Sequence, residues 1–375
     1  MNLRLVPKRG STLHDFPYAG EGRKCLHAWI INVTPPGYDH CRHQCRYCYA
    51  REAVFSRPPR DVTEVYNNLP ELVERDLARL RLCPPVLISN TTDPCQDIPQ
   101  LRAEVARLVE VLLRYDVSFG IITKGDARFL LGVPGFAEHD RAFVAVTIEG
   151  PAEVLALLSP RAPRFEQRLA VVADLSATGV RTSVRLDPLF PHLCQALYGD
   201  EWFDRIERLL GAFAAAGCRH VVGGTGRLSR RVARVSADGL SLHERLRRVI
   251  ADASADAARA FVSEYVYERG GTSAGWRWRS DLRLAHHRRA RAVCEGLGMT
   301  YATCQEHPAG DSDSPGLSNC EGFDLPFVRR TREGRFEPVA GCTANCHVTC
   351  RDRDDPPCGQ HSLIKCGPFR PGELR

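Results

Sequence analysis

No stretch of this chain is apolar enough, for long enough, to cross a membrane. It also lacks an internal repeat and any long low-complexity tract. Its opening residues, Met1 to Lys8, are too short and too polar to form an apolar leader. These absences exclude a helical membrane protein and a repeat array, and lead us to expect a cytoplasmic protein with no membrane partner. Net charge is only +6, from 51 Lys and Arg against 45 Asp and Glu. So small an excess permits an anionic partner without demanding one. What the chain has in abundance is cysteine, 16 in 375 residues. A chain of this length, 43% hydrophobic, buries a sizeable core without cross-links. In a reducing compartment, clustered thiols then point to metal.

Three of the cysteines fall within Asp39-His40-Cys41-Arg42-His43-Gln44-Cys45-Arg46-Tyr47-Cys48-Tyr49-Ala50. The spacing is Cys-x3-Cys-x2-Cys, with Tyr47 directly before the last thiol. Three thiolates so placed can hold three irons of a 4Fe–4S cube and leave the fourth iron open. A zinc ribbon is the alternative, and it closes its metal with a fourth Cys or His at short range. His40 and His43 are too close in sequence to reach that corner easily, and the next cysteine is Cys83. Cys41, Cys45 and Cys48 are therefore expected to ligate an open cluster.

Strand-like and helix-like segments alternate through the first two thirds. Strands are expected at 28–33, 86–89, 118–123, 142–149 and 182–186, and a sixth from 220. Helices are expected at 61–80, 101–113, 164–177, 202–216 and 240–261. Leu69, Leu72, Val73, Leu77 and Leu80 carry a helical period, as do Val105, Leu108, Val109 and Leu112. Alternation of this kind builds a parallel sheet with crossover helices. Six units make an α/β fold, a partial (β/α)6 TIM-like barrel. We expect an N-terminal segment over 1–24, the core domain over 25–280, and a loop-rich, Cys-rich extension over 281–375. In such barrels chemistry lies at the carboxyl ends of the strands, where the Cys41 loop falls.

The cysteine spacing together with Tyr47 resembles the signature of the radical S-adenosylmethionine (radical SAM) enzymes. Residues from roughly 25 to 230 are similar to the spore photoproduct lyase-like branch of that superfamily. The likeness is carried by Cys41 to Ala50; by Ser89-Asn90-Thr91-Thr92-Asp93-Pro94; by Thr123-Lys124; by Ser159-Pro160-Arg161-Ala162-Pro163-Arg164-Phe165-Glu166-Gln167-Arg168-Leu169; and by Asp187-Pro188-Leu189. The resemblance implies S-adenosylmethionine (SAM) as cofactor, held at the open iron through its methionine amino and carboxylate groups. It implies reductive cleavage to a 5′-deoxyadenosyl radical that abstracts a substrate hydrogen, with an electron donor such as flavodoxin or ferredoxin. It also implies that Cys41, Cys45 and Cys48 serve the catalytic cluster and that Tyr47 borders the adenine. Ser89, Thr91, Thr92 and Asp93 would lie where the methionine ammonium is gripped, with Thr91, Thr92 or Asp93 accepting its hydrogen bond. Lys124 would pair with the SAM carboxylate, and Thr147 would reach the ribose. The sequence departs from the branch at Asn90, where the lyases carry a hydrogen-donating cysteine. Cys95 is close by, either as a substitute donor or as a core residue.

Seven cysteines follow residue 300: Cys304, Cys320, Cys342, Cys346, Cys350, Cys358 and Cys366. They lie in a polar stretch with little apolar periodicity, which a metal centre can order. All seven are candidate ligands of an auxiliary 4Fe–4S cluster. Zinc is the alternative, with His347 or His361 as further ligands. Spacing does not divide the seven among centres. Arg227 to Arg234, Trp276-Arg277-Trp278-Arg279 and His286 to Arg291 place basic and aromatic residues together. That pattern suits stacked bases and equally suits a solvated surface over core tryptophans. Gly223-Gly224-Thr225-Gly226 suits a strand-end turn or a close approach to a ligand.

Three functions follow. The first is a radical SAM enzyme acting on a small molecule or peptide with an auxiliary cluster. The second is a radical SAM enzyme of nucleic acid, a repair lyase or base modifier. The third is a non-catalytic Fe–S or zinc protein that binds nucleic acid.

Overall fold

The computed structural model describes residues 2–15, 24–35, 40–51, 62–89, 91–228, 239–268, 275–304, 306, 311–346, 348–350, 353–360 and 374. Seven parallel strands form the central sheet: β1 (Trp29–Ile31), β2 (Val86–Ile88), β3 (Phe119–Thr123), β4 (Ala142–Thr147), β5 (Thr182–Leu189), β6 (His220–Thr225) and β7 (Thr300–Thr303). They lie side by side in chain order, and His14–Asp15 adds an antiparallel edge beside β1. β1 to β4 are nearly continuous apolar runs, as covered parallel strands require; every residue of β4 is buried, and β5 interrupts the pattern with Arg185 and Asp187. The architecture is the expected partial TIM-like barrel, with seven parallel strands where the alternation gave six.

Helices cover the convex face. α1 (Leu69–Leu77) and α2 (Pro99–Arg114) each carry a proline in the first turn, where its missing N–H is harmless. Leu101, Val105, Leu108, Val109 and Leu112 form the buried stripe of α2. α3 (Phe165–Ala177) and α4 (Trp202–Ala215) follow β4 and β5. The helix expected at 61–80 is confined to α1. Residues Val62–Tyr66, rich in β-branched side chains, instead pair in parallel with Asn2–Val6. The helix expected at 240–261 breaks at Ser254, whose hydroxyl accepts from the Ala257 N–H at 3.2 Å and so caps a new helix.

The sheet continues past residue 280. α5 (Ser280–Gly296) crosses over and β7 pairs with β6. The buried side of α5 carries Arg283, His286 and His287, so its apolar period is faint. Arg283 is satisfied by Glu268 at 2.6 Å and Glu306 at 2.8 Å. His287 Nδ1 lies 2.7 Å from the Tyr301 hydroxyl. Tyr301 therefore points to the helix side, and its neighbour Ala302, with register partner Val222, points to the concave face. Phe323 fills that face lower down, its ring 5.6 Å from Phe143 and 6.3 Å from His220. Gly120 makes room for Phe143: a Cβ there would lie 2.1 Å from the ring.

The extension is stitched to the barrel by a small antiparallel sheet. Val328–Arg330 pairs with Phe336–Pro338 and with Leu82–Cys83. Arg330 donates to the carbonyl of Leu80 at 2.7 Å and to that of Leu77, so it caps the end of α1. The Trp-Arg stretch is structural. Gly275–Trp278 forms a hairpin with Tyr265–Glu268, and the buried Trp278 donates to Glu264 at 2.7 Å. Most of the stretch from Arg227 to Arg234 lies outside the described residues. The glycine run is packed rather than open; a Cβ on Gly224 would sit 2.5 Å from Asp187 Oδ1.

Phe143 is fully buried between Gly120 and Phe323. Phe143→Ala is expected to cost about 3–5 kcal/mol, read as a lower midpoint in urea unfolding followed by circular dichroism.

Candidate functional site

The Cys41 loop leaves β1 at its carboxyl end and is held there by four contacts. The Arg42 N–H donates to Gln96 Oε1 at 2.6 Å, and Gln96 Nε2 donates to the His40 carbonyl at 3.1 Å. The Arg46 N–H donates to the Leu158 carbonyl at 2.8 Å. His43 Nε2 lies 3.1 Å from Asp93 Oδ2. Within the loop, the Cys48 N–H bonds the Cys45 carbonyl at 3.2 Å. The three sulfurs sit close enough to repel one another when ionised. Burial first, then Asp93 and the other two thiols, push Cys41 up. Burial pushes Cys45 up to about 12, against the pull of Lys124. Buried thiols of this kind ionise only when a cation arrives, and a thiolate-bound metal supplies it. The three side chains thus fit a 4Fe–4S cluster.

Asp93 is the hub of the site and not a free acceptor. Oδ1 accepts from the Cys95 N–H at 2.8 Å and the Thr123 hydroxyl at 2.6 Å. Oδ2 accepts from the Lys124 N–H at 2.6 Å and faces His43. Four contacts thus engage its two oxygens. Thr92 is also spent, its hydroxyl 2.9 Å from that of Thr34 and 3.1 Å from that of Ser89. Ser89, at φ 58°, donates to the Thr92 carbonyl at 2.7 Å. Thr91 has one contact, to Asn32 Oδ1 at 3.2 Å, and is half-buried. Cys95 is fully buried, and Gly125 is pressed against its carbonyl, so it is a core residue. Asn90 lies outside the described residues.

Lys124 ends β3, its ammonium 5.5 Å from the centre of the Tyr47 ring. Burial would lower it, yet Cys45 and Glu149 outweigh burial and raise it. Tyr47 donates to Glu149 Oε1 at 2.8 Å, and Arg168 donates to Glu149 Oε2 at 2.6 Å. Arg168 also donates to the carbonyls of Thr147 at 3.0 Å and Pro163 at 2.7 Å, and to the Ser159 hydroxyl at 2.8 Å. Thr147 shares the concave face with its register partner Arg185. Sequence reading missed Glu149, Arg168, His43 and Gln96 as positioning residues. Arg168 stood within the resembling run at the fourth helix, which was the available signal.

A cleft of about 320 Å³ adjoins the loop, with Gln44, Arg46, Arg161, Arg245, Arg248 and Asp252 in its wall. Four arginines face one carboxylate there.

The remaining cysteines fall into two groups. Cys342, Cys346, Cys350 and Cys358 converge below the small antiparallel sheet: burial, then the other three thiols, raise Cys346. The Phe327 N–H reaches Cys342 Sγ at 3.4 Å. Cys304 and Cys320 stand elsewhere, hydrogen-bonded to each other and to Cys25, which sequence reading did not single out. Cys366, His347 and His361 lie outside the described residues.

No family model matches the chain. It is 22% identical over 370 residues to the radical SAM Nalpha-GlyT isomerase of Pseudomonas phage M6, covering 92% of this chain and 71% of that protein. It is 28% identical over 232 residues to an uncharacterized protein of Mycobacterium tuberculosis, covering 59% of this chain and 66% of the relative. Among solved structures it superposes on spore photoproduct lyase complexed with dinucleoside spore photoproduct, with a TM-score of 0.55 at 15% identity, over 80% of this chain and 82% of that one. These comparisons give the chain a spore photoproduct lyase-like fold and a likeness, over most of its length, to a radical SAM isomerase. In this chain the cysteine loop, Lys124 and Thr147 all sit at the carboxyl ends of strands of one parallel sheet. Among the described residues, no helix is long and apolar enough to cross a membrane.

Burial would raise the Glu149 carboxyl from its ordinary 4.5, but Arg168 and Lys124 outweigh burial and hold it at about 2. A depressed carboxyl adds stability that is complete above pH 4.5 and is lost as pH falls through about 2. Glu149→Gln is expected to flatten the unfolding free energy across that window. At neutral pH, leaving Arg168 buried without its partner is expected to cost on the order of 3–5 kcal/mol. Urea titrations of both proteins at stepped pH measure this.

Proposed function

We propose that this chain reductively cleaves SAM at a 4Fe–4S cluster ligated by Cys41, Cys45 and Cys48. The observation that carries the reading is the trio of thiols, Cys45 buried and Cys41 and Cys48 half-buried, beside the Lys124 ammonium at the carboxyl ends of parallel strands. The chemistry supplied there by bound cluster and SAM is formation of a 5′-deoxyadenosyl radical, which takes a hydrogen atom from the substrate. The protein's part is binding and orientation. Lys124 presents its charge to the methionine carboxylate, and Thr91 is the hydroxyl of the 89–93 run left to meet the ammonium. Tyr47, fixed by Glu149 and Arg168, borders the adenine, and Thr147 faces the ribose. Cys342, Cys346, Cys350 and Cys358 bind an auxiliary 4Fe–4S cluster as a closed set of four ligands; zinc is the competing metal. The reading includes a reducing cytoplasm and an electron donor of the flavodoxin or ferredoxin kind.

The arginine cleft beside the loop favours a phosphate-bearing substrate over the small molecule or peptide expected from Asn90 and the modest net charge. Arg46 lies between two cluster cysteines, so a bound phosphodiester would pass the reaction centre. The phage relative, by name an isomerase, and the lyase solved with a dinucleoside photoproduct are compatible with this second reading.

Two sets of measurements check these readings. After anoxic reconstitution, Cys41→Ala is expected to abolish 5′-deoxyadenosine formation from SAM, measured by chromatography. Lys124→Met is expected to weaken SAM binding about tenfold or more, the loss of a charge-assisted bond. Separately, replacing Arg46 and Arg161 by Ala is expected to weaken single-stranded DNA binding. It should also lower the slope of log Kd against log salt by about 0.7 per arginine that contacts phosphate. A salt-insensitive wild type would return the substrate to the small-molecule or peptide class.

A further inference from the structure

The interior of the barrel holds a pair of carboxylates that the reading above does not use. Arg185 and Asp187 lie two residues apart on β5, so both side chains face the concave side. Arg185 is buried and is the register partner of Thr147 on the next strand. One arm of its guanidinium donates to Asp187 Oδ2 at 2.7 Å, and the other donates to Glu321 Oε1 at 2.6 Å. Two carboxylates thus flank one cation. Glu321 comes from the loop behind β7, where its N–H donates to Asn319 Oδ1 at 2.9 Å.

Each carboxylate keeps a second oxygen toward the interior. Glu321 is 6% exposed, and its Oε2 is buried with no hydrogen-bond partner among the described residues. The Asp187 side chain is 25% exposed. Gly224 bears no side chain to cover Asp187 Oδ1; a Cβ there would sit 2.5 Å away. The neighbouring cations are already engaged. Lys24 pairs with Asp313, and Arg283 is shared between Glu306 and Glu268. Left empty, the pair either shares a proton or leaves charge uncompensated in a dry interior. In both cases the Glu321 oxygen stays unsatisfied. The site calls for one positive charge that also donates hydrogen bonds. A metal ion fits poorly, since no three His, Cys, Asp or Glu side chains among the described residues are placed to hold one. A protonated amine fits, as a compact charge with three N–H donors.

We propose that Asp187 and Glu321 bind a protonated amino group of the substrate, with Arg185 holding the two carboxylates in place. This rests on the reading of the barrel interior as the substrate site and adds to it. A phosphate-bearing substrate lying along the arginine cleft would carry its amine inward, past Thr147.

The test uses the full chain with propylammonium chloride as the probe. Sodium chloride, tetramethylammonium chloride and propanol at equal concentration are the controls. A ligand that binds only the folded chain raises its unfolding midpoint. Propylammonium is expected to raise the midpoint above all three controls. Asp187→Asn and Glu321→Gln are each expected to weaken the apparent affinity about tenfold or more, the loss of a charge-assisted hydrogen bond. Equal midpoints in propylammonium and tetramethylammonium overturn the proposal, as does a rise that both variants keep in full. Should the variants fail to fold, the wild-type chain decides through Cys304, which is half-buried and bonded to Arg185. Propylammonium should slow its labelling by iodoacetamide, read by mass spectrometry, and unchanged labelling overturns the site. Neither measurement requires a cluster or SAM. Cys41→Ala should keep the propylammonium response, so failure of the radical reading would show instead as absent 5′-deoxyadenosine with this response intact.

Discussion

The mouth of the barrel is organised by one buried carboxylate. Asp93 receives two N–H groups, a hydroxyl and an imidazole from the cysteine loop, its own turn and the end of β3. Burial alone would keep it protonated, yet His43 and the donors around it hold it well below the usual carboxylate range. An ionised group so enclosed tolerates no missing partner, because any one lost leaves charge uncompensated in a dry site. The Cys41 loop and Lys124 are therefore placed relative to each other through a shared acceptor. A second buried carboxylate, Glu149, does the same for Tyr47 and Arg168.

Each thiol group has a cation beside it. Lys124 acts on Cys45, Arg185 on Cys304 and Arg329 on Cys358. Thiolate-bound centres carry negative charge, and a single nearby cation is the least costly way to hold one in a low-dielectric interior.

Much of this was legible in the sequence. Apolar runs of strand length marked β1 to β4, and the alternation with helices placed β5 and β6, whose runs carry polar residues. The Cys-x3-Cys-x2-Cys spacing pointed to the loop proposed as the reaction centre, because its three cysteines are local in sequence. β7 was hidden because the helix that leads to it buries arginine and histidine, satisfied by partners that no periodicity reveals. Asp93 was seen as a site residue, but a sequence shows a carboxylate and not the contacts around it. The division of the late cysteines was beyond spacing, for Cys304 and Cys320 find their third partner near the other end of the chain.

That last geometry sets a timetable. Cys41, Cys45 and Cys48 leave the ribosome within a few residues of one another, and their pocket needs only the first strands. Cys25 is made early, but it meets its two companions only after β7 and the loop behind it have been synthesised. The interior cysteines can therefore meet only once the chain has been made as far as Cys320, long after the Cys41 loop has formed.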